Sequence, residues 1–164
     1  MIVADTSSLI SLASIELIDT FLTEFDVHTS ETVVAELEET SSYDDRHGKA
    51  ADIVLNQIDR IQVHSTDSDL ETSRIDLGEG STAALANELD ADFLITDDLQ
   101  ALPEIQQIVD AKVGISPIVL KSLVQRNVHE KEEALDKLDD LAEQRSWLGA
   151  PIYRRAKQLF QPDN

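Results

Sequence analysis

Phe93-Leu94-Ile95-Thr96-Asp97-Asp98 is a run of strand-forming residues that stops on two acids. Short continuous apolar runs bounded by turn residues read as strands buried on both faces. The chain opens in the same way. Ile2-Val3-Ala4 is followed by Asp5-Thr6-Ser7-Ser8, a buried strand passing into residues that cap helices. Three further short strands are expected, at Phe25–His28, around Ile61 and Val63, and at Lys112–Ile115. Helical spacing fills the intervals between them. Strands alternating with helices predict a parallel sheet with helices on both faces. The expected fold is therefore α/β, a three-layer α/β/α sandwich with a central parallel sheet of about four to five strands.

The helices are read from their apolar stripes. Leu9, Ile10, Leu12 and Ala13 form the first, and Ile15, Leu17, Ile18, Phe21 and Leu22 the second. Thr29 or Ser30 caps a third, with Val33, Val34 and Leu37 inward. Residues 40–46 read as a polar loop, 48–58 as a helix and 65–77 as a second loop. Gly78-Glu79-Gly80-Ser81 opens the next helix, and Pro103 starts or interrupts one near 99–110. Pro117 and Pro151 suit first helical turns, and 129–145 has helical spacing. No repeat or linker divides the chain. The expectation is one domain, 1–164, with 117–164 a C-terminal helical extension of it.

Composition narrows the class. A length of 164 residues suits one domain, and 41% hydrophobic residues suffice for a core. With no Cys, disulfides, thiolate metal sites and cysteine nucleophiles are excluded. No apolar run approaches the roughly 18 residues that cross a bilayer. No basic region precedes an apolar stretch at the N-terminus, so no signal peptide is expected and the compartment expected is the cytoplasm. The formal charge is -20, from 33 acids against 13 Lys and Arg. Passive electrostatic binding of nucleic acid is disfavoured by that balance. The acids are scattered rather than blocked and lysines number six, a pattern expected of a halophilic protein whose acidic surface is screened by molar salt.

Sites in open α/β sheets lie beyond the carboxyl ends of the strands. Asp5 and the pair Asp97-Asp98 stand there. Glu36 lies on a helix with an inward Val33/Leu37 stripe, and Glu79 at a helix entry. No Lys, Arg or His adjoins them in sequence. Carboxylates gathered without a cation repel, so this set reads as ligands for Mg²⁺ or Mn²⁺ that activate water on a phosphodiester. Taken alone, Asp5 reads first as an ordinary helix cap and only second as a ligand. His28, His47, His64 and His129 lack metal-ligand spacing and read as surface or strand-edge residues. Arg154, Arg155 and Lys157, with Lys121 and Arg126, form the candidate basic strip for RNA, or answer helix dipoles.

Ile2-Val3-Ala4-Asp5-Thr6-Ser7 resembles the opening of a PIN domain, the fold of VapC-type toxin ribonucleases. Thr32-Val33-Val34-Ala35-Glu36-Leu37, Leu77-Gly78-Glu79-Gly80-Ser81 and Leu94-Ile95-Thr96-Asp97-Asp98 resemble the later acidic motifs, in order. The tail from Trp147 to Leu159 resembles a prokaryotic branch with an extended helical C-terminus. The resemblance implies a single-stranded RNA endonuclease using Mg²⁺ or Mn²⁺, commonly a homodimer, whose toxin members are held by a small antitoxin. It implies Asp5, Glu36 and Asp98 as catalytic acids. Asp5, Asp98, Asp97 and Glu79 become candidate metal ligands, with Thr6, Ser7, Ser81 and Thr96 in support. Ser81 departs from the pattern, since related sequences carry an acid there. That motivates an alternative, a catalytically impaired PIN-fold module that binds RNA or protein. A phosphoacceptor domain of receiver type is disfavoured, because no Lys stands near the fifth strand's end in the required place.

Overall fold

The computed structural model describes residues 1–65 and 77–161. Five strands form one sheet: β1 (Ile2–Ala4), β2 (Val27–Ser30), β3 (Gln62–His64), β4 (Phe93–Ile95) and β5 (Lys112–Gly114). All pairings are parallel, in the order β3-β2-β1-β4-β5. Register is set by Val3 opposite His28 on one side and Leu94 on the other.

Alternation along each strand divides the core into two layers, because successive side chains point to opposite faces. Ile2, Ala4 and Ile95 join one cluster, with Leu9, Phe21, Leu37, Val54, Leu120 and Leu141. Val3 and Leu94 join the other, with Ala83, Leu85, Ala86 and Ile105. The first layer is built by α1 (Thr6–Ser14), α2 (Ile18–Glu24), α3 (Glu31–Ser41), α4 (Arg46–Leu55), α7 (Pro117–Gln125), α8 (Lys131–Gln144) and α9 (Pro151–Gln158). The second is built by α5 (Leu77–Glu88) and α6 (Leu102–Ile108). This is the expected α/β sandwich. Among the described residues no helix is long and apolar enough to cross a membrane.

Several boundaries differ from expectation. β2 begins at Val27, because the Phe25 amide still bonds to Phe21 O at 3.0 Å and closes α2. α4 begins at Arg46, since the Asp45 carboxylate accepts from Gly48 N at 2.8 Å inside the expected loop. α5 begins at Leu77, so Ser81 lies within the helix and not at its cap. Residues 66–76, most of the expected second loop, lie outside the described residues. His28 is buried rather than superficial. Its Nδ1 bonds to His64 Nε2 and its Nε2 to Asp26, both at 2.9 Å.

Four helices end without glycine. Glu16, Asp90, Asn127 and Ser146 adopt left-handed φ of 59, 52, 61 and 58°. The following amides reach back into the helix: Leu17 N to Leu12 O, Ala91 N to Ala86 O, Val128 N to Leu123 O and Trp147 N to Ala142 O, at 2.7–3.0 Å. These are Schellman closures, which satisfy the orphan carbonyls of the last turn.

Gly48 is required by a close approach. A Cβ there would overlap the Tyr43 carbonyl oxygen, where α3 turns into α4. Gly48→Ala is expected to cost about 2–3 kcal/mol by overpacking. At about 2–4 °C per kcal/mol for a chain of this size, thermal denaturation should show a fall of roughly 4–12 °C. An unchanged midpoint would refute the tight α3–α4 turn.

Candidate active site at the carboxyl ends of the strands

The strand order reverses between β1 and β4, and crevices for ligands form at such a switch point. Asp5 leaves β1 there and Asp97 leaves β4. The two chain ends are tied together by Asp5 N donating to Ile95 O at 3.2 Å, and by Ser8 Oγ donating to the same carbonyl at 3.0 Å. Thr29 Oγ1 donates to Ala4 O at 2.7 Å and adds β2 to the junction.

Asp5 is 2% exposed and caps α1, its Oδ1 accepting from Ser8 N at 2.9 Å. Ser7 Oγ donates to both carboxylate oxygens, at 3.0 and 3.1 Å. The same hydroxyl accepts from Asp97 N at 3.0 Å. Burial pushes the Asp5 carboxyl up to about 6, and the Asp97 charge adds to the rise. Hydrogen bonds from Thr96 and Ser8 oppose it. Asp97 is also raised by burial, against hydrogen bonds and the Arg145 charge. Its carboxylate accepts from Ser116 N at 2.6 Å and Ser116 Oγ at 2.7 Å. The buried Ser11 hydroxyl lies beside Asp97 and works against that rise.

Ser7→Ala removes the link between Asp5 and the Asp97 amide. It is expected to cost about 1–3 kcal/mol, because a buried carboxylate loses one donor and a backbone N–H loses its acceptor. Urea denaturation compared with wild type measures this, and a loss below about 0.5 kcal/mol would show the bridge to be immaterial.

The structure separates the two adjacent acids. Asp97 is held by Ser116 and its charge raises Asp5, whereas Asp98 faces the amides that lead into α6. Asp98 Oδ1 accepts from Gln100 N at 3.0 Å and Ala101 N at 3.3 Å, and Asp98 N donates to Thr96 Oγ1 at 3.2 Å. Both acids are thus engaged at the strand's end, Asp97 by Ser116 and Asp98 by the amides of the next turn.

Asp5, Thr6, Ser7, Ile10, Glu36, Glu79 and Arg145 line one pocket of about 250 Å³. The inward Val33/Leu37 stripe of α3 leaves Glu36 on its flank, where it accepts from Thr6 Oγ1 at 2.8 Å. Glu79 is buried at the start of α5. Ser81 is not part of the lining. It is 1% exposed, and its Oγ bonds at 2.7 Å to Ser30 Oγ, which caps α3 by accepting from Val33 N at 3.1 Å. Its work is to join α5 to the β2–α3 junction. A larger cavity of about 500 Å³ lies among Met1, Phe25, Phe93 and Ile118, at the amino ends of the strands and away from the acids.

Arg145 is the residue that sequence reasoning missed. It caps the C-terminus of α8, an element remote in the sequence from Asp5 and Asp97, whose charges it feels. Burial lowers its pKa, while Asp97 and Asp5 hold it up. Arg154, Arg155 and Lys157 lie on α9, outside the pocket lining. Lys157 pairs with Asp139 at 3.4 Å, and Arg126 covers the Phe25 ring at 4.3 Å.

The pocket's donors are carboxylate oxygens, the hard ligands that Mg²⁺ and Mn²⁺ accept, and a cation would relieve the repulsion seen at Asp5. In donor type and charge the residues suit such an ion. Among the described residues, no three carboxylates or imidazoles are drawn together at metal-binding distances.

A family model described as "DUF3368: PIN domain" matches residues 1–162. Among solved structures, the chain is similar to a PilT N-terminus domain protein from the hyperthermophilic archaeon Sulfolobus solfataricus P2. The TM-score is 0.56 and the identity 16%, over 74% of this chain and 91% of that one. This likeness concerns the fold. No curated protein matches the sequence. With a nearly full-length family match and acids gathered at the switch point of a parallel sheet, the chain belongs to the DUF3368 family of PIN domains.

Proposed function

We propose that this PIN domain is a metal-dependent endonuclease acting on single-stranded RNA, in the manner of the toxin ribonucleases its sequence resembles. The observation that carries the reading is the shared pocket: Asp5, Glu36 and Glu79 meet at the carboxyl ends of β1 and β4. The PIN fold is a nuclease-type fold and its members generally use divalent metals. Asp5, Glu36 and Glu79 would hold the ion here, with Asp97 behind Asp5. A bound Mg²⁺ or Mn²⁺ supplies a Lewis acid for water and phosphoryl oxygens.

The chain's own residues prepare the site. Thr6 orients Glu36, and Ser7 and Ser8 orient Asp5. Ile10 gives the pocket an apolar wall, and Glu79 enters it from the buried start of α5.

Departure from the family's acidic pattern at Ser81 favours the second reading, a module that binds RNA or a partner without cutting. Glu79 in the pocket weakens it, since a third carboxylate is supplied two residues earlier. The deciding experiment is cleavage of a labelled single-stranded RNA with Mn²⁺ in molar KCl, wild type beside Asp5→Asn. Cutting by wild type alone is expected. Equal cutting by both proteins, or by neither, would remove the enzyme reading.

A further inference from the structure

We propose that Arg145 is the phosphate-binding residue of this site, its guanidinium receiving the phosphodiester of an RNA strand at the mouth of the acidic pocket. The proposal deepens the nuclease reading above and rests on it. A polyanion entering a pocket lined by Asp5, Glu36 and Glu79 meets three carboxylates. Arg145 is the cation in that lining among the described residues. Its guanidinium closes no ion pair and donates no hydrogen bond among the described residues. Asp5 and Asp97 attract it from within the site without closing an ion pair, and its planar fork of five N–H donors matches two phosphate oxygens at once.

The position is built rather than incidental. Leu141 and Ala142 on one side of Arg145 are fully buried, and Trp147 on the other is 7% exposed. The α8 turn closes with Trp147 N on Ala142 O at 2.7 Å and Ser146 N on Glu143 O at 3.3 Å. Lys137 Nζ donates to Ile15 O at 3.0 Å and ties α8 to the end of α1, the helix that Asp5 caps. Arg145 thus stands on a corner anchored on both sides.

A second observation gives the strand a way out. Gln144 and Ser146, on either side of Arg145, line an adjoining groove of about 220 Å³ with Asp45, Arg46 and His47. A strand leaving the pocket past Arg145 therefore meets another cation, Arg46, at the start of α4. In a chain of charge -20, two arginines placed along one path supply local attraction that the global charge denies.

The test compares wild type, Arg145→Ala, Arg145→Gln and Arg145→Lys. Two readouts are used: cleavage of a labelled single-stranded RNA with Mn²⁺ across a KCl series, and anisotropy of the same RNA with Ca²⁺ in place of Mn²⁺. Both neutral variants are expected to raise KM and Kd about tenfold or more, with kcat falling less. The slope of log Kd against log[KCl] should shrink by about 0.7, one phosphate contact on a single strand. Arg145→Lys should keep the slope and regain part of the affinity. A thermal midpoint for each variant identifies misfolding, and the Gln and Lys proteins keep an unbranched side chain at the position.

Unchanged KM, Kd and salt slope in folded neutral variants would overturn the proposal and leave the nuclease reading intact. So would faster cleavage or tighter Mn²⁺ binding in Arg145→Ala, which would make the guanidinium a stand-in for the metal. Wild type that binds RNA without cutting, and loosens on loss of Arg145, would sustain the phosphate contact while removing the nuclease. Wild type that neither binds nor cuts would overturn both.

Discussion

Asp5→Asn is expected to abolish cleavage and to stabilise the metal-free protein at neutral pH. Asp5 is buried beside Asp97, and its carboxyl is pushed from 3.8 to about 6. A carboxyl raised on folding favours the native state while protonated. That contribution is fully present below 3.8 and is lost as pH rises through about 6. Two pKa units correspond to about 3 kcal/mol, the strain that ionised Asp5 places on the fold at pH 7.5. Asn keeps an oxygen for the Ser8 amide, so the α1 cap survives. The midpoint of thermal unfolding should rise by roughly 6–12 °C at pH 7.5 and by little near pH 4. Mn²⁺ should raise wild type toward the variant and leave the variant unmoved. Cleavage should fall about 10²–10⁴-fold. A variant no more stable than wild type at pH 7.5, in the absence of metal, would show that Asp5 is not a strained carboxyl.

Ser81→Glu is expected to unfold the protein sooner without making it a better nuclease. On the reading that the domain lost turnover with its third acid, this substitution would create or raise activity. The structure gives the opposite expectation. Ser81 is buried and bonded to Ser30 Oγ at 2.7 Å, and that oxygen caps α3. A longer side chain overpacks the contact, and its charge is stranded beside a hydroxyl instead of in the pocket. The combined cost is at least about 3 kcal/mol, a fall of roughly 6 °C or more. Ser81→Ala, which leaves Ser30 on the Val33 amide, should lose only about 1 kcal/mol. A Ser81→Glu protein with the wild-type midpoint and faster cleavage would show that the carboxylate reaches the pocket after all.

The strand ends were legible because their signal is local. Ile2-Val3-Ala4 and Phe93-Leu94-Ile95 are apolar on consecutive positions, as strands covered on both faces must be. Prolines marked the starts of α6, α7 and α9. Helix ends were harder to read. Four close on Glu16, Asp90, Asn127 and Ser146, where the usual glycine signal is absent and tertiary packing holds the left-handed turn. The start of α5 was legible to within a residue, since Gly78-Glu79-Gly80-Ser81 opens the helix that begins at Leu77.

Asp5 and Glu36 were visible as candidates because each stands at a marked place, a strand end and the flank of an apolar stripe. The different orientations of Asp97 and Asp98 were not visible. Adjacent acids share one sequence context, and only the partners Ser116 and Gln100, on separate elements, distinguish them.

By itself the sequence determined the alternation of strands and helices, the parallel sheet it forces, and the acids that leave its carboxyl edge. Periodicity and capping act over a few residues, so a single chain displays them. Only the tertiary structure decided that Asp5, Glu36, Glu79 and Arg145 share one pocket and that Ser81 does not. Those neighbours come from α1, α3, α5 and the end of α8. Apolar burial holds such elements together but is non-directional, so their mutual placement emerges only when the whole core has packed.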